Sequence, residues 1–537
     1  MELELILAIG MFLTAIVALL GGYSVAMTLG GVALLFGLGP IVLSEVLLRL
    51  GYEPLYLIEL RDLRNIFSRI LGSMENQVLI AVPLFVLMGV ILERSKVADD
   101  LLHTASRLLA KVRGGLGYAV VIVGALLAAS TGIVGATVIT MTLIALPTML
   151  KQGYDPKLAT GTIAASGTLG QIIPPSIVLI LLADAVSNAN QSAAMRSGQG
   201  AGVVSVGDLF AGALLPGLML VGLYLLYLVI TALLRPSASP AVSLNEDSEP
   251  LTVMQVVQSL GAPLALIIAV LGSILGGLAS PTEASAIGAG GALLLAGLRL
   301  SPEHGRAGDP YSIWAAFAAI LALLILSNVA DLRLNQENIT GVDWALIGLA
   351  IAISLVFFGG FLAAARVLIR AAQLSPALKS GVQITSMVFL ILIGASLFAL
   401  VFRAYGGEHY VEALLTSIPG GLWGALAVTM IVMFILGFFL DFIEIVFVVV
   451  PIVAPPLIIL GADPVWLAIL MALNLQTSFL TPPFGFALFY LRGAAPEGVR
   501  TIDIWRGAIP FIGLQLIMIA LVAAIPALAT WLPSFVR

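Results

Sequence analysis

A set of helix-breaking residues occurs twice in this chain of 537 residues, with one constant spacing. Each member of the first set recurs 308 positions later, as in 455 − 147 = 308. The sets are Pro147, Gly153, Asp155, Pro156 and Pro174-Pro175, and then Pro455, Gly461, Asp463, Pro464 and Pro482-Pro483. Proline and glycine interrupt membrane helices, and secondary transporters commonly build their binding sites where two such interrupted helices meet. The repeat therefore predicts two broken helices at one site.

Composition places the chain in a lipid bilayer. Sixty per cent of its residues are hydrophobic, only 10% are charged, and its mean hydropathy is +1.13. A soluble globule could not bury so much apolar surface. Because a membrane helix needs about 20 apolar residues, we expect an all-α polytopic membrane protein with roughly a dozen spans. The small net charge of −5 argues against nucleic acid as a partner, and the N-terminus lacks a signal peptide's basic region, so its first apolar run should be a retained helix.

The charges that flank the apolar run 114 to 150 predict a re-entrant hairpin. Its flanks are basic at both ends: Lys111, Arg113, Lys151 and Lys157. Lysine and arginine mark the cytoplasmic side, so a run of about 37 residues must enter the membrane there and return, with its tip near 130 to 135. Its copy, 420 to 460, has acidic flanks instead: Glu408, Glu412 and Asp463. The two hairpins are therefore expected on opposite faces, which makes the repeat inverted.

Charges in the other loops agree with this topology, with one exception. After the first broken helix, 157 to 183, we expect an external loop that carries Asp184, Arg196 and Asp208. An internal loop is expected to carry Arg366, Arg370 and Lys379. The exception is 49 to 75, which should be external but holds Arg49, Arg61, Arg64 and Arg69. We interpret that segment as a surface helix in which acidic residues match the arginines.

The two hairpin tips carry polar groups that could bind a ligand. The first combines hydroxyls with glycines whose missing side chains leave backbone carbonyls reachable: Ser130, Thr131, Gly132, Gly135 and Thr137. Such oxygens suit a hard cation. The second holds Asp441 and Glu444 one helical turn apart, and each acid costs about 2.5 to 3.5 kcal/mol in a membrane helix unless it has a partner.

The two helix breaks repeat one design. Prolines remove amide donors and leave upstream carbonyls available as ligands. The candidate ligands are Gly167, Thr168, Gly170 and Pro174 at the first break, and Asn474, Gln476, Thr477, Thr481, Pro482 and Gly485 at the second. Two breaks of the same design predict two ion sites.

Each of these groups also has a purely structural interpretation. Serine and threonine in membrane helices often bond back to the preceding turn, and Asp441 and Glu444 could lie at a water-exposed hairpin end. Glu283, which follows Ser280-Pro281 at a predicted helix start, is interpreted first as a helix cap. Asp155 and Asp463 are interpreted in the same way.

Enzyme motifs are nearly absent, since the chain has no metalloprotease, nucleophile-elbow or Walker motif. His304 and Asp309 match the H-x-x-x-x-D spacing of some acyltransferases, which leaves a membrane enzyme as an alternative of another class. That window lies in a proline- and glycine-rich loop without an apolar pocket. We therefore expect that the chain is not an enzyme.

Several stretches resemble the large membrane subunit of the tripartite ATP-independent periplasmic (TRAP) transporters, and the resemblance covers most of the chain. They are 132 to 151, 153 to 155, 167 to 176, 214 to 217, 281 to 284 and 481 to 485. The segment 476 to 493 is most similar to the branch often labelled mannitol/chloroaromatic compound transport. That label is a poor guide to substrate.

The resemblance implies sodium-coupled uptake of an organic acid across the bacterial inner membrane, with Na⁺ as the transported coupling ion and no organic cofactor. It also implies two partners, a small membrane subunit of about four helices and a soluble periplasmic substrate-binding protein. Together with the residue chemistry it predicts substrate binding at Thr131, Gly132, Gly135, Thr168, Asn474, Thr477 and Thr481. The predicted sodium ligands are Ser130, Thr137, Gly167, Gly170, Pro174, Asp441, Glu444, Gln476, Pro482 and Gly485.

The implied fold is an elevator, in which a transport domain of two hairpins and two broken helices slides against a scaffold. The predicted units are 1 to 113 (scaffold and first arm helix), 114 to 208 (first transport half), 209 to 403 (scaffold), 404 to 419 (second arm helix), 420 to 491 (second transport half) and 492 to 537 (C-terminal loop and helix). Amphipathic stretches at 95 to 113 and 404 to 419 would be the arms between the two parts. The chain departs from the family pattern by two extra apolar runs, about 312 to 328 and 343 to 365, too few for a fused small subunit.

The distribution of basic residues agrees with this interpretation. Without lysine or arginine in the predicted core, an anionic substrate would be neutralised by sodium ions, helix N-termini and hydroxyls. A stand-alone divalent-anion/sodium symporter is the alternative, since it would share the hairpins and breaks but need no binding protein.

Overall fold

The computed structural model describes residues 2–50, 65–132, 134–198, 202–241, 252–333 and 340–536. Regular structure within these ranges is helical. Thirteen of the helices described are long and apolar enough to cross a membrane. The predicted fold is confirmed: an all-α polytopic membrane protein of the inverted-repeat, elevator type, with two re-entrant hairpins and two broken helices.

The first half of the chain leads from two N-terminal spans to hairpin 1 and broken helix 1. Its helices are α1 (Glu2–Leu20), α2 (Val25–Arg49), α3 (Asn65–Met74), α4 (Gln77–Arg94), α5 (Val97–Leu108), α6 (Gly115–Thr131), α7 (Val134–Lys151), α8 (Pro156–Thr168), α9 (Ile177–Ser197) and α10 (Val206–Leu234). Hairpin 1 is formed by α6 and α7. Broken helix 1 is formed by α8 and α9.

The second half repeats this order after additional helices. Its helices are α11 (Val253–Val256), α12 (Ala262–Leu275), α13 (Pro281–His304), α14 (Asp309–Val329), α15 (Gly341–Arg370), α16 (Leu374–Ala404), α17 (Gly407–Ser417), α18 (Gly421–Leu436), α19 (Phe442–Glu444), α20 (Val450–Ile459), α21 (Pro464–Leu480), α22 (Phe486–Ala494), α23 (Thr501–Ala524), α24 (Ala527–Thr530) and α25 (Pro533–Val536). Hairpin 2 comprises α18, α19 and α20, with a π-helical segment, Ile445–Val449, between the last two. Broken helix 2 is formed by α21 and α22.

The constant offset of the sequence repeat persists in three dimensions. Adding 308 to the bounds of α7 (134 and 151) gives 442 and 459, the first residue of α19 and the last of α20. Helices α8 and α21 both begin at a repeated proline, and the aspartate before each caps the helix by accepting a backbone N–H. The predicted caps are therefore confirmed, as is that of Glu283, which forms a capping box with Ser280.

Helix contacts follow the two-fold pattern that an inverted repeat requires. Helix α2 packs along α16, and α13 packs along α4. Hairpin 1 packs through α7 against α22, and hairpin 2 packs through α20 against α9. Because each hairpin contacts the broken helix of the other half, both tips approach one central region.

The two extra apolar runs form α14 and α15. They pack against each other and against α13 through small residues: a Cβ atom on Gly360 would lie 2.2 Å from the Ser312 carbonyl oxygen, and one on Gly297 would lie 2.6 Å from the Ala364 Cβ. Only 11% of the apolar window of α15 is buried. Most of the surface of α15 is therefore left uncovered by the described part of the chain.

The two stretches predicted to be arms contain helices, α5 and α17, and their role as arms stays a prediction. Each helix carries an acid that pairs with an arginine of another element. Asp100 on α5 pairs with Arg299 of α13. Glu408 on α17 is buried and pairs with Arg403 of α16 at 2.7 Å and with Arg196 of α9. Helix α17 is thus bound both to α16 and to broken helix 1.

The segment after broken helix 1 differs from its prediction. Helix α9 continues to Ser197, so Asp184 and Arg196 lie on a helix instead of the predicted external loop. The Asp184 carboxylate accepts a hydrogen bond of 2.7 Å from the Asn76 side-chain amide. The surface helix predicted within 49 to 75 is described only from residue 65, as α3, because 51 to 64 lie outside the described residues.

Candidate transport site

Broken helix 1 stops where its sequence removes backbone donors. After α8 a short 3₁₀ turn, Leu169–Gln171, leads to Pro174-Pro175, which are joined by a cis peptide bond. Ser176 then caps α9: its hydroxyl accepts from the Leu179 N–H at 3.5 Å and donates to the Gln171 carbonyl at 3.2 Å. Neither proline has an N–H to donate, so the Ser176 hydroxyl supplies a hydrogen bond to one carbonyl upstream of the break, that of Gln171.

Broken helix 2 stops in the same way. Helix α21 ends at Leu480, Pro482-Pro483 are joined by a cis peptide bond, and α22 begins at Phe486. Residues 158–195 of the first broken helix and 464–491 of the second contain no lysine or arginine. Neither range therefore holds a cation, although the first includes the acid Asp184.

The two broken helices meet at equivalent positions of the repeat. The Gln476 side-chain amide donates to the Thr168 hydroxyl at 3.4 Å, and the two residues are 308 positions apart. When equivalent residues of two copies contact each other, the two-fold axis that relates the copies must pass between them. The first and second breaks are thereby brought to the centre of the molecule.

Two further side chains complete a buried polar cluster at this axis. The Gln515 amide, from α23, donates to the Thr168 hydroxyl at 3.4 Å and to the Tyr224 hydroxyl, from α10, at 2.8 Å. Thr168 in turn donates to the Ala165 carbonyl at 2.8 Å. We define Thr168, Tyr224, Gln476 and Gln515 as the axial cluster. Sequence reasoning missed Tyr224 and Gln515, although a glutamine within an apolar helix is itself a sign of a polar partner.

Several buried amide atoms beside this cluster have no hydrogen-bond partner among the described residues. They are the Oε1 atoms of Gln476 and Gln515 and both amide atoms of Gln171, which follows Thr168 by three residues and is fully buried. A buried polar group without a partner is costly. Amide oxygens of this kind bind a cation or an ordered water molecule.

We expect Thr168→Val to destabilise the protein by about 1 to 3 kcal/mol, because it leaves the Gln476 amide buried without its acceptor. Thr162→Val is the matched control, since Thr162 is equally buried on the same helix but donates back to the Leu158 carbonyl at 2.7 Å. Thermal unfolding in detergent measures both. Equal shifts in the two variants would mean that the axial cluster contributes nothing beyond a buried hydroxyl.

The tip of hairpin 1 lies against both broken helices. Gly132 ends α6 in the left-handed conformation (φ +61°), and a Cβ atom there would lie 3.0 Å from Ile177, the first residue of α9. A Cβ atom on Gly135 would lie 3.0 Å from the ring of Tyr490 on α22. Thr137 is buried, whereas the side chains of Ser130 and Thr131 lie outside the described part of the structure.

Close glycine contacts hold this hairpin against the first broken helix. A Cβ atom on Gly167 would lie 2.3 Å from a Val138 methyl carbon, and one on Gly124 would lie 2.6 Å from the Ser166 Cβ. Gly170 has more room, with the Ala128 carbonyl oxygen 3.4 Å from its built Cβ. Gly167 is therefore explained by packing, independently of any role as a ligand.

The two acids of hairpin 2 form a reciprocal cap. The Asp441 carboxylate accepts from the Phe442 N–H at 2.8 Å, and the Glu444 carboxylate accepts from the Asp441 N–H at 3.1 Å. Glu444 also lines a small cavity with apolar residues of α1, α2 and α16, among them Phe12 and Phe398.

Hairpin 2 meets the second break through small and aromatic residues. A Cβ atom on Gly437 would lie 2.1 Å from the Ser478 hydroxyl oxygen, and the rings of Phe439 and Phe484 are 5.5 Å apart. The Asn474 amide donates to the Met430 carbonyl at 2.8 Å, so part of this predicted ligand is used in binding α18 to α21. The break between Pro482 and Gly485 therefore lies directly beside the hairpin tip.

The threonines of the second break bond back to their own helix. Thr477 donates to the Leu473 carbonyl and Thr481 to the Thr477 carbonyl, both at 2.7 Å. Such bonds to the preceding turn are common for threonines in membrane helices, as the structural interpretation of these residues predicts. A hydroxyl that donates to a carbonyl still presents lone pairs, so both oxygens remain able to bind a cation.

The acyltransferase alternative is wrong. Asp309 accepts from the Arg306 N–H at 2.7 Å and pairs with Arg370 at 2.9 Å, so its carboxylate is held at the start of α14. His304 ends α13 and is exposed beside Glu303. No catalytic pair exists between the two.

Comparison with known proteins gives a family match over nearly the whole chain. The family described as "Tripartite ATP-independent periplasmic transporter, DctM component" matches residues 10–528. A C4-dicarboxylate TRAP transporter large permease protein DctM from Pseudomonas aeruginosa is 27% identical over 475 residues, covering 88% of this chain and 90% of that protein. One from Vibrio cholerae is 25% identical over 519 residues, covering 96% and 97%.

Among solved structures, the fold is similar to that of the YdaH transporter from Alcanivorax borkumensis. The TM-score is 0.52 at 15% sequence identity, and the match covers 90% of this chain and 91% of that one. At this identity the likeness concerns the fold alone.

Proposed function

We propose that this chain, which belongs to the DctM family of TRAP transporters, is a sodium-coupled importer of an organic acid. As a member of that family it is the large permease subunit, a multi-pass protein of the inner membrane, and not an enzyme. A periplasmic binding protein would deliver the carboxylate, and a small membrane subunit would complete the complex. The names of the relatives make a C4-dicarboxylate a reasonable first candidate.

The observation that carries this proposal is the meeting of the two broken helices at Thr168 and Gln476. Neutral oxygens lie around it, several of them buried and without a hydrogen-bond partner among the described residues, and neither lysine nor arginine occurs within 158–195 or 464–491. An anionic substrate in such a region needs cations to neutralise it. Sodium ions bound by these oxygens would supply that charge, so transport of the acid would depend on sodium.

We assign sodium binding to two regions, each made of a hairpin tip and the break beside it. One combines Ser130, Thr137, Gly167, Gly170 and Pro174, and the other combines Asp441, Glu444, Gln476, Pro482 and Gly485. The substrate would lie between them, near Thr131, Gly132, Gly135, Thr168, Asn474, Thr477 and Thr481. The contacts of Gly132 with Ile177 and of Gly437 with Ser478 support these pairings of tip and break.

In the proposed mechanism, residues 114–208 and 420–491 move as one transport domain against the scaffold. The cross-packing of each hairpin on the other half's broken helix supports a common body. The arm helices α5 and α17 would allow the movement while remaining bound to the scaffold through Asp100 and Glu408.

Sodium binding can be tested before the substrate is known. We expect sodium chloride to raise the melting temperature of the purified protein above its value in equal potassium chloride, because an ion that binds only the folded state stabilises it. For transport, an acid is first identified by its stabilisation of the binding protein. Its uptake into proteoliposomes that contain all three proteins should then require a sodium gradient. Unchanged uptake in potassium-only buffer would contradict the coupling.

The stand-alone symporter alternative predicts a different result in the same experiment. Such a transporter would take up the acid at full rate when the binding protein is left out. We expect uptake to fall to background in that arm and to return when the binding protein is added.

A further inference from the structure

A groove opens between the end of α15 and the start of α16, outside the candidate transport site. Its volume is about 470 Å³. Four apolar side chains form its walls: Ile369, Leu374, Leu378 and Val382. Ile369 and Val382 are 62% and 64% exposed. In a bilayer this apolar surface faces acyl chains, so the groove is suited to one end of a lipid molecule.

The polar members of the groove lie at its membrane-surface end. Lys379 and Ser375 lie on the first turns of α16, and Gln383 follows one turn further along. Helix α16 has no side-chain cap at its start. Two first-turn N–H groups, those of Leu374 and Ser375, are therefore available to an anion, while Pro376 has no N–H, and the helix dipole favours negative charge there.

Further cations surround this end of the groove. Arg366 and Arg370 lie one turn apart at the end of α15, and Arg94 donates to the Ser380 hydroxyl at 3.1 Å. Arg370 is paired with Asp309, but within the described residues no carboxylate pairs with Lys379 or Arg366. The charge of the groove is thus positive and only partly compensated.

The face on which the groove lies agrees with a lipid ligand. Arg366 and Arg370 lie at the end of α15 and Lys379 near the start of α16, and not in the internal loop predicted to carry them. The short turn between the two helices is on the side that the positive-inside rule assigns to the cytoplasm. Basic pockets between transmembrane helices on that side bind anionic lipid headgroups. Helix α15, one of the two extra helices, contributes Ile369 to the groove, and α16 contributes the rest of its lining.

We infer that this groove binds an anionic phospholipid. Its phosphate would contact Lys379, Arg366 and the backbone amides of Leu374 and Ser375, and an acyl chain would lie along Ile369 and Val382. The site would anchor the extra helices to the scaffold at the membrane surface. This inference does not depend on sodium coupling, since the groove shares no residue with the candidate transport site.

The test uses the purified full chain and phosphatidylglycerol, with phosphatidylcholine and inorganic phosphate as separate arms. We expect phosphatidylglycerol to raise the melting temperature more than an equal concentration of phosphatidylcholine does, and native mass spectrometry to show it bound. Lys379→Ala should weaken the binding of phosphatidylglycerol by about fivefold, the effect of one basic residue at a lipid headgroup. Lys379→Arg should retain it.

Lys111→Ala is the matched control, because Lys111 is exposed and predicted on the same face but lies outside the groove. It should bind phosphatidylglycerol like the wild type. Equal stabilisation by the two lipids would overturn the inference, and so would full reproduction of the effect by inorganic phosphate. Unchanged lipid binding by Lys379→Ala, measured by mass spectrometry on whichever fraction is folded, would overturn it as well.

Discussion

Replacement of Asp441 by asparagine is expected to lower the initial rate of sodium-driven uptake by at least about tenfold, while the protein remains folded. This loss corresponds to about 1.4 kcal/mol or more of binding or activation free energy. Asp441 caps α19 through its bond to the Phe442 N–H. Asparagine is as good a cap as aspartate, so this substitution removes the charge and keeps the local helix. A neutral amide oxygen binds a cation more weakly than a carboxylate oxygen does, so sodium binding should weaken.

Two further variants separate charge from capping. Asp463→Asn is the matched control, since Asp463 caps α21 at an exposed helix start and belongs to no proposed ion site; its uptake should equal that of the wild type. Asp441→Ala removes cap and charge together and should add a loss of stability of about 1 kcal/mol. The sodium-dependent shift in melting temperature should become smaller in both Asp441 variants, because only the first of the two proposed sodium regions would remain intact. Wild-type uptake and a wild-type sodium shift in Asp441→Asn would remove this residue from the site.

Much of the architecture follows from the repeat because prolines, glycines and capping aspartates act locally. Pro156 and Pro464 each occupy the first position of a helix, after a capping aspartate, so these helix starts could be predicted within one residue. The repeated Pro147 and Pro455 do not break their helices, because they lie inside α7 and α20. The turn of hairpin 1 was likewise predictable, because its backbone is left-handed at Gly132. Charges at the membrane surface then indicated the inversion, which the cross-packing of hairpins and broken helices confirms.

The interior of the candidate site was less predictable because its partners come from distant helices. The bond between Thr168 and Gln476 follows from the repeat only once the axis is known. Gln515 and Tyr224 come from helices outside the predicted transport halves, and no local pattern indicates that their side chains turn towards Thr168. The spacing of Asp441 and Glu444 predicted two sodium ligands of the same kind. In the structure, Glu444 lines a small apolar cavity.

Replacement of Gly161 by valine is expected to have the largest effect on folding. Gly161 lies on α8 against Gly507 of α23, and a Cβ atom on Gly161 would be 2.1 Å from the Gly507 carbonyl oxygen. The atom in the way is backbone, so no side chain can rotate to make room, and α8 must separate from α23. Overpacking of this kind costs about 1 to 3 kcal/mol where neighbours can adjust, and we expect the upper end or more here. Separation of these helices would also disrupt the axial cluster, since Thr168 lies on α8 and Gln515 on α23.

Gly222→Val provides the matched control, because Gly222 also lies on a membrane helix, α10, but has no atom within 4 Å of a built Cβ. It should yield the same amount of monodisperse protein in size-exclusion chromatography as the wild type. Gly161→Val should yield markedly less, and its remaining folded fraction should melt at a lower temperature. Glycine is common in membrane helices, so a general intolerance of larger residues would affect both variants alike. Equal behaviour of the two would contradict a close α8–α23 contact, whereas loss confined to Gly161→Val would tie the folding of broken helix 1 to α23.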